Sequence, residues 1–275
     1  MNRLLSANFM RLKRSKVFWI CAAAMAGFAV AMEWVNYGEI KEGIEVTLEG
    51  KLLVYSTFVS VAIAAFVSLF LGTEYSDGTI RNKVVIGHSR TAIYLSNLIT
   101  AAVSAIAMCL AYLAVYSLVG VAAIGRFTAE PKAILTQILC SLVLAVALSS
   151  ILTLLAMINQ NKAVSAVICV LLAFGLLFAG SYIDNCLKEP EYYSGYYMDE
   201  TGTLQEGPQE KNPRYLTGAE RKVYQFAGDF LPGGQQIQLA SGGAEKPWKL
   251  MGYSVVITMA VTAAGVVIFK RKDLR

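Results

Sequence analysis

The charged side chains of Gly72–Arg90, GTEYSDGTIRNKVVIGHSR, are the part of this chain best suited to a chemical task. Glu74, Asp77, Arg81, Lys83, His88 and Arg90 stand together there, with long uncharged apolar runs on both sides. These residue types fit recognition better than catalysis. His88 is the sole histidine, so no Ser–His pair and no HExxH set can be assembled in the apolar runs. The chain has no GxxxxGK[ST] phosphate loop and does not bind ATP by that means. Among the five cysteines there is no CxxC pair; Cys21, Cys109, Cys140 and Cys169 lie inside apolar runs as small hydrophobes, and Cys186 stands alone outside them. No metal site, no cofactor and no enzymatic activity is expected of this chain.

The segment carries its own helix punctuation. Ser76 or Asp77 is expected to cap a short helix over Thr79–Ile86, Gly87 to end it in the left-handed conformation, and Ser89 to cap the helix that follows. Arg81, Asn82 and Lys83 then share about one turn beside Ile80, Val84 and Val85. An apolar stripe with polar flanks suits docking into a partner's groove; a solvated turn rich in cations is the alternative.

The elements around this segment follow from composition. Hydrophobic residues make up 56% of the 275, mean hydropathy is +0.53 and 16% are charged, far from a soluble domain. The charges are segregated, which leaves six apolar spans at about 17–35, 52–72, 91–120, 133–158, 163–183 and 249–269. The fold expected is an all-α integral membrane protein, one transmembrane domain over 1–275. Glu33 is expected to snorkel at the end of the first span, with Trp34 in the interfacial belt. The third run is over-long for a bilayer, so it must tilt, kink or end near Gly120 or Gly125. Residues 1–31 also resemble a signal peptide; we read them as an uncleaved first span. Residues 1–16 place Leu5, Phe9 and Leu12 on one helical face and five cations elsewhere, which suits a helix in the membrane interface or a frayed basic terminus.

Charge asymmetry orients the spans. With both termini in the cytosol, the inner segments hold 13 of the 24 Lys and Arg but only 3 of the 19 Asp and Glu. The positive-inside rule favours that topology, in a plasma membrane crossed several times, with 184–248 outside. The basic balance therefore points to anionic headgroups, and nucleic acid is excluded for want of a basic soluble domain. Without ionisable residues in the uncharged runs, an ion-coupled transporter is disfavoured.

EYSDGTIRNK at 74–83, followed by GHSR at 87–90, resembles the loop between spans 2 and 3 of type 2 ATP-binding-cassette exporter permeases. The closest subgroup comprises the lantibiotic, bacteriocin and bacitracin immunity transporters. Glu74, Tyr75, Gly78, Thr79, Ile80, Arg81, Asn82, Lys83, Gly87, Ser89 and Arg90 carry the match, and the amphipathic start and the FKRKDLR end are similar too. The resemblance implies an exporter half that pairs with a second permease, identical or paralogous, and sits on separate ATPase subunits that bind ATP and Mg. It makes 73–90 the coupling helix, with Glu74, Tyr75, Gly78–Lys83 and Arg90 as ATPase-coupling residues. Glu74 is expected either to pair with Arg11 or Arg14 or to snorkel at the boundary. A membrane scaffold or sensor using the same ATPase-binding layout is the alternative function.

The uncharged spans suit an amphiphilic or hydrophobic cargo, such as a peptide antibiotic or a lipid. A route between two subunits would be lined from spans 2 and 5 by Phe58, Phe66, Ser68, Phe70, Phe174 and Phe178, unless these aromatics merely pack the bundle or face lipid. Outside, Thr217–Glu220 reads as a capping box for a helix ending near Gly228, and Asp229–Gly234 as a turn whose glycines form a hinged rim. The Tyr-rich stretch 190–203 is either a recognition surface or a packed cap.

Overall fold

Charge-free runs of this length can satisfy their backbone polar groups in a bilayer only as helices or closed barrels, and here they are helices. The computed structural model describes residues 1–198, 204–242 and 244–272. Part of the Tyr-rich stretch (199–203) and the end of the basic tail (273–275) lie outside the described residues. A short helix, α1 (Asn2–Lys13), precedes α2 (Lys16–Lys41), whose N-cap Ser15 accepts the Phe18 amide. The second span is broken into α3 (Leu48–Lys51) and α4 (Tyr55–Ser76), and α5 (Thr79–Val85) joins it to α6 (Arg90–Ala123). Next come α7 (Pro131–Ile158), α8 (Lys162–Lys188), a hairpin of β1 (Tyr192–Met198) and β2 (Leu204–Lys211), then α9 (Gly218–Phe230), α10 (Pro232–Ala240) and α11 (Pro247–Arg271). Six segments are long and apolar enough to cross a membrane: α2, α3–α4, α6, α7, α8 and α11.

The bundle is organised around α4. Two-thirds (67%) of the apolar stretch of the α3–α4 span is buried, against 22% for α8 and for α11, and α4 packs on α2, α6, α7, α8 and α10. The peripheral helices keep apolar faces open, with Trp19, Trp34, Leu171 and Phe178 all exposed. In a membrane protein such faces meet lipid or another subunit.

Four glycines do work that composition does not announce. The third span passes Gly120 and ends at Ala123, just before Gly125 (φ +118°), so α6 runs through 34 residues, about 50 Å at about 1.5 Å per residue. Gly120 is instead a point of close approach, where an added Cβ would lie 2.5 Å from Leu48 and 2.6 Å from Glu33 Oε1. Glu33 fills that niche and is buried, so it does not snorkel; Asn36 Nδ2 donates to its Oε2 at 3.4 Å, and its Oε1 has no hydrogen-bond partner among the described residues. Asn36 is held in turn by Lys51 and Tyr116. Gly233 and Gly234 sit inside α10, not in a hinge. Leu231 alone separates α9 from α10, Pro232 opens α10 at its first turn, and the helix docks backbone to backbone on α8. A Cβ on Gly233 would fall 1.7 Å from the Leu176 carbonyl oxygen, and one on Gly180 would fall 2.2 Å from Gly233. Gln236 ties α10 to α4 as well, donating to the Ser56 carbonyl (2.6 Å) while Ser56 Oγ donates to the Gln236 carbonyl (2.9 Å).

The capping box at 217–220 does not form. Thr217 is the N-cap of α9 without a side-chain bond, Gly218 adopts φ +56°, and α9 continues past Gly228 to Phe230.

Candidate functional site

A carboxylate at the end of a membrane helix needs a cation or water. Glu74, in the last turn of α4, has its side chain completely buried and takes two cations. Arg11 of α1 donates to Oε1 at 2.5 Å, and Lys83 of α5 donates to the same oxygen. Asn97 of α6 donates to Oε2 at 3.0 Å. Asn8 of α1 closes the ring: its Nδ2 donates to Asn97 Oδ1 at 2.8 Å, and its Oδ1 accepts from Lys83 at 3.2 Å. Arg11 also donates to the Phe70 carbonyl and lies 3.7 Å over the Phe70 ring. Burial lowers the Arg11 pKa from its ordinary value, and the Glu74 charge opposes that. Four helices thus meet on one carboxylate, and the pair of Glu74 with Arg11 is formed where Arg14 stays exposed.

Local sequence explains how α5 reaches this ring. Asp77 ends α4, Gly78 turns the chain at φ +66°, and α5 starts at Thr79. A left-handed residue is easy for glycine and strained for others, so Gly78 is the corner. Neither Ser76 nor Asp77 caps α5, because the chain enters it through this turn and not from an extended residue. The far end follows the expected pattern. Gly87 has φ +96°, its N–H bonds the Val84 carbonyl at 3.0 Å, and the His88 N–H bonds the Lys83 carbonyl at 3.1 Å, a Schellman closure. Ser89 then caps α6, accepting the Ala92 amide at 3.3 Å.

The corner sets which face of α5 looks out. Ile80 is buried and Lys83 turns inward to Glu74, whereas Arg81, Asn82, Val85 and Ile86 are exposed. Val85 and Ile86 are 78% and 77% exposed, an adjacent apolar pair at the end of α5. Thr79 is half-buried.

Tyr75 and Arg90 hold the C-terminal segment. Tyr75 donates to the Met157 carbonyl at 2.6 Å; Lys272 Nζ donates to that carbonyl at 2.8 Å and to the Tyr75 hydroxyl at 3.1 Å. Burial pushes the Lys272 ammonium down to about 8. Arg90 donates to the carbonyls of Lys270 and Lys272. The end of α11 is therefore pinned beside the α4–α5 corner.

The sequence of this chain matches a known family. The description "ABC-2 family transporter protein" fits residues 4–176, more than half of the chain. The chain belongs to that family. No curated protein matches it. An ABC-2 permease is a multi-pass membrane transport component, and membership implies an ABC ATPase as partner. In this ABC-2 permease the matched residues contain the whole Glu74 ring, while β1, β2, α9, α10 and α11 follow them in the chain.

The six aromatic and serine candidates for a substrate route fall into two groups. Phe66, Ser68 and Phe70 are buried inside this one chain, with Ser68 Oγ bonded to the Ala64 carbonyl at 2.6 Å and Phe66 stacked on Phe70. Phe58, half-buried, packs on Phe28. Phe174 and Phe178 stack on each other on the open face of α8, where Phe178 is exposed.

Asn8 and Asn97 were missed by sequence reasoning. Their signal was present: an amide in an apolar face or an uncharged span must find a partner, and each is the other's.

Proposed function

We propose that this chain is the membrane half of an ATP-driven exporter, and that the exposed face of α5 grips the ATPase subunit. The observation that carries the reading is the open pair Val85 and Ile86, flanked by Arg81 and Asn82, on a helix tied through Lys83 to a buried carboxylate. An apolar centre with a polar rim is the surface a docked partner buries. Because Glu74 joins α1, α4, α5 and α6, a push on α5 is delivered to two spans and to the interfacial helix together. The termini and α5 lie in the cytosol, as the charge balance favours, and ATP and Mg belong to the partner. A second permease copy or paralogue completes the exporter. The cargo is amphiphilic, and its route follows the open α8 face at Phe174 and Phe178, since Phe66, Ser68 and Phe70 are enclosed.

Arg81→Glu and Ile86→Asp test this reading in vesicles holding the permease and its ATPase. Both side chains are exposed, so insertion is expected to survive. Loss of a docking anchor costs about 2 kcal/mol or more in association, and ATPase stimulation should fall accordingly. Unchanged co-purification and unchanged stimulation in both variants would refute the docking role.

A further inference from the structure

Beyond the family-matched residues, the ends of α8, α9, α10 and α11 on the side away from α5 line an open cavity of about 420 Å³. Every lining residue lies after position 176, so the cavity is not part of the machinery shared across the matched segment. Its apolar wall is Ile183, Leu187 and Leu250, and its charged lining is Asp184, Asp229 and Glu245 against Lys246 and Lys249. Carboxylates outnumber cations, and the cavity already displays what they accept. Lys249 Nζ donates to Asp229 Oδ2 at 2.7 Å, an ammonium on an alkyl stem beside apolar side chains. Gln238 steadies the other Asp229 oxygen at 3.2 Å. Lys249 is half exposed (48%), so it can leave without opening the core. Asp184 is engaged by Lys188 on its own helix, while Glu245 has neither hydrogen bond nor ion pair among the described residues.

We propose that this cavity binds the primary ammonium group of a cationic amphiphile, which takes Asp229 from Lys249 and uses Glu245 as its second acceptor. The apolar wall receives the adjoining alkyl stem. The chemistry is shared by a free amphiphile with a lysine-like amine and by an ethanolamine lipid headgroup. The inference rests on the exporter reading only for calling this face the outer one.

The test is calorimetric titration of the full chain in phosphatidylcholine nanodiscs with n-octylamine, using n-octyl sulfate as the anionic control. Saturable binding of the amine and not the sulfate is expected. Asp229→Asn removes a charge-assisted bond and should weaken binding about tenfold. Lys249→Met removes the internal competitor and should tighten binding, which a merely structural Asp229–Lys249 pair would not produce. Glu245→Gln, an exposed change that leaves the fold alone, should weaken it, so the proposal stays testable if Asp229→Asn fails to fold. Adding phosphatidylethanolamine identifies the source: competition with octylamine names the headgroup, and unchanged affinity names the free amphiphile. Equal binding of octyl sulfate, or no tightening in Lys249→Met, would overturn the site. Neither ATPase nor transport enters the measurement, so its failure leaves the exporter reading standing, and failure of ATPase docking leaves the site standing.

Discussion

Glu74→Gln should destabilise the permease by about 3–5 kcal/mol, the cost of removing one partner from a buried ion pair. The glutamine keeps the shape and one acceptor, but Arg11 and Lys83 then face each other without a counter-charge. Unfolding in mixed detergent micelles reads the effect. The double variant Glu74→Gln, Lys83→Met should recover part of the loss, because it restores the charge balance with Arg11 as the only remaining cation. A single variant within about 0.5 kcal/mol of the parent would place Glu74 among ordinary surface positions and remove the reason for treating the ring as a mechanical joint.

Gly233→Ala should be nearly as damaging. A Cβ there has 1.7 Å to the Leu176 carbonyl oxygen, and the obstacle is backbone, which cannot turn aside as a side chain does. Overpacking of this kind costs about 1–3 kcal/mol and sometimes more, and here it must lift α10 off α8. Gly175→Ala is the internal control, next to Leu176 in α8 but with no atom within 4 Å of the new Cβ. That change should instead stabilise, by about 0.5–1 kcal/mol, as alanine replaces glycine in a helix. Thermal unfolding of both variants in the same micelle checks the sign. Equal, small effects would mean that α10 is not seated as described.

The six spans were legible because a charge at membrane depth is expensive, so the charge-free runs mark themselves. The C-terminal end of α5 was legible as well, since Gly87 and Ser89 act through local geometry. The start of α5 was not. Ser76 and Asp77 are good caps in isolation, and only the packed position of Ile80 and Lys83 makes Gly78 the corner. For the same reason the exposed face of α5 was drawn one position off: over seven residues, pattern alone does not fix the rotation of a helix, and Ile80 is spent inside while Ile86 is open. Gly233 and Gly234 invited a hinge because glycine serves both freedom and close approach; tertiary packing chose the second. Glu33 appeared to be a boundary residue because the niche left by Gly120 lies 87 positions away in the chain. The β1–β2 hairpin, with a bulge between Ser194 and Tyr196, was not anticipated at all in a Tyr-rich stretch weighed only as surface or cap. The Glu74–Arg11 pair was half legible: charge scarcity named the partners, but the two asparagines that complete the ring came only with the fold.

The most direct test of the exporter account is photo-crosslinking from α5 in membranes that hold the assembled transporter. A benzophenone side chain placed at Ile86 should capture the ATPase subunit, one at the buried Ile80 should capture only neighbouring permease segments, and one at Tyr193 in the hairpin should not reach the ATPase. Capture of the ATPase from Tyr193 with none from Ile86 would contradict both the proposed orientation and the docking face.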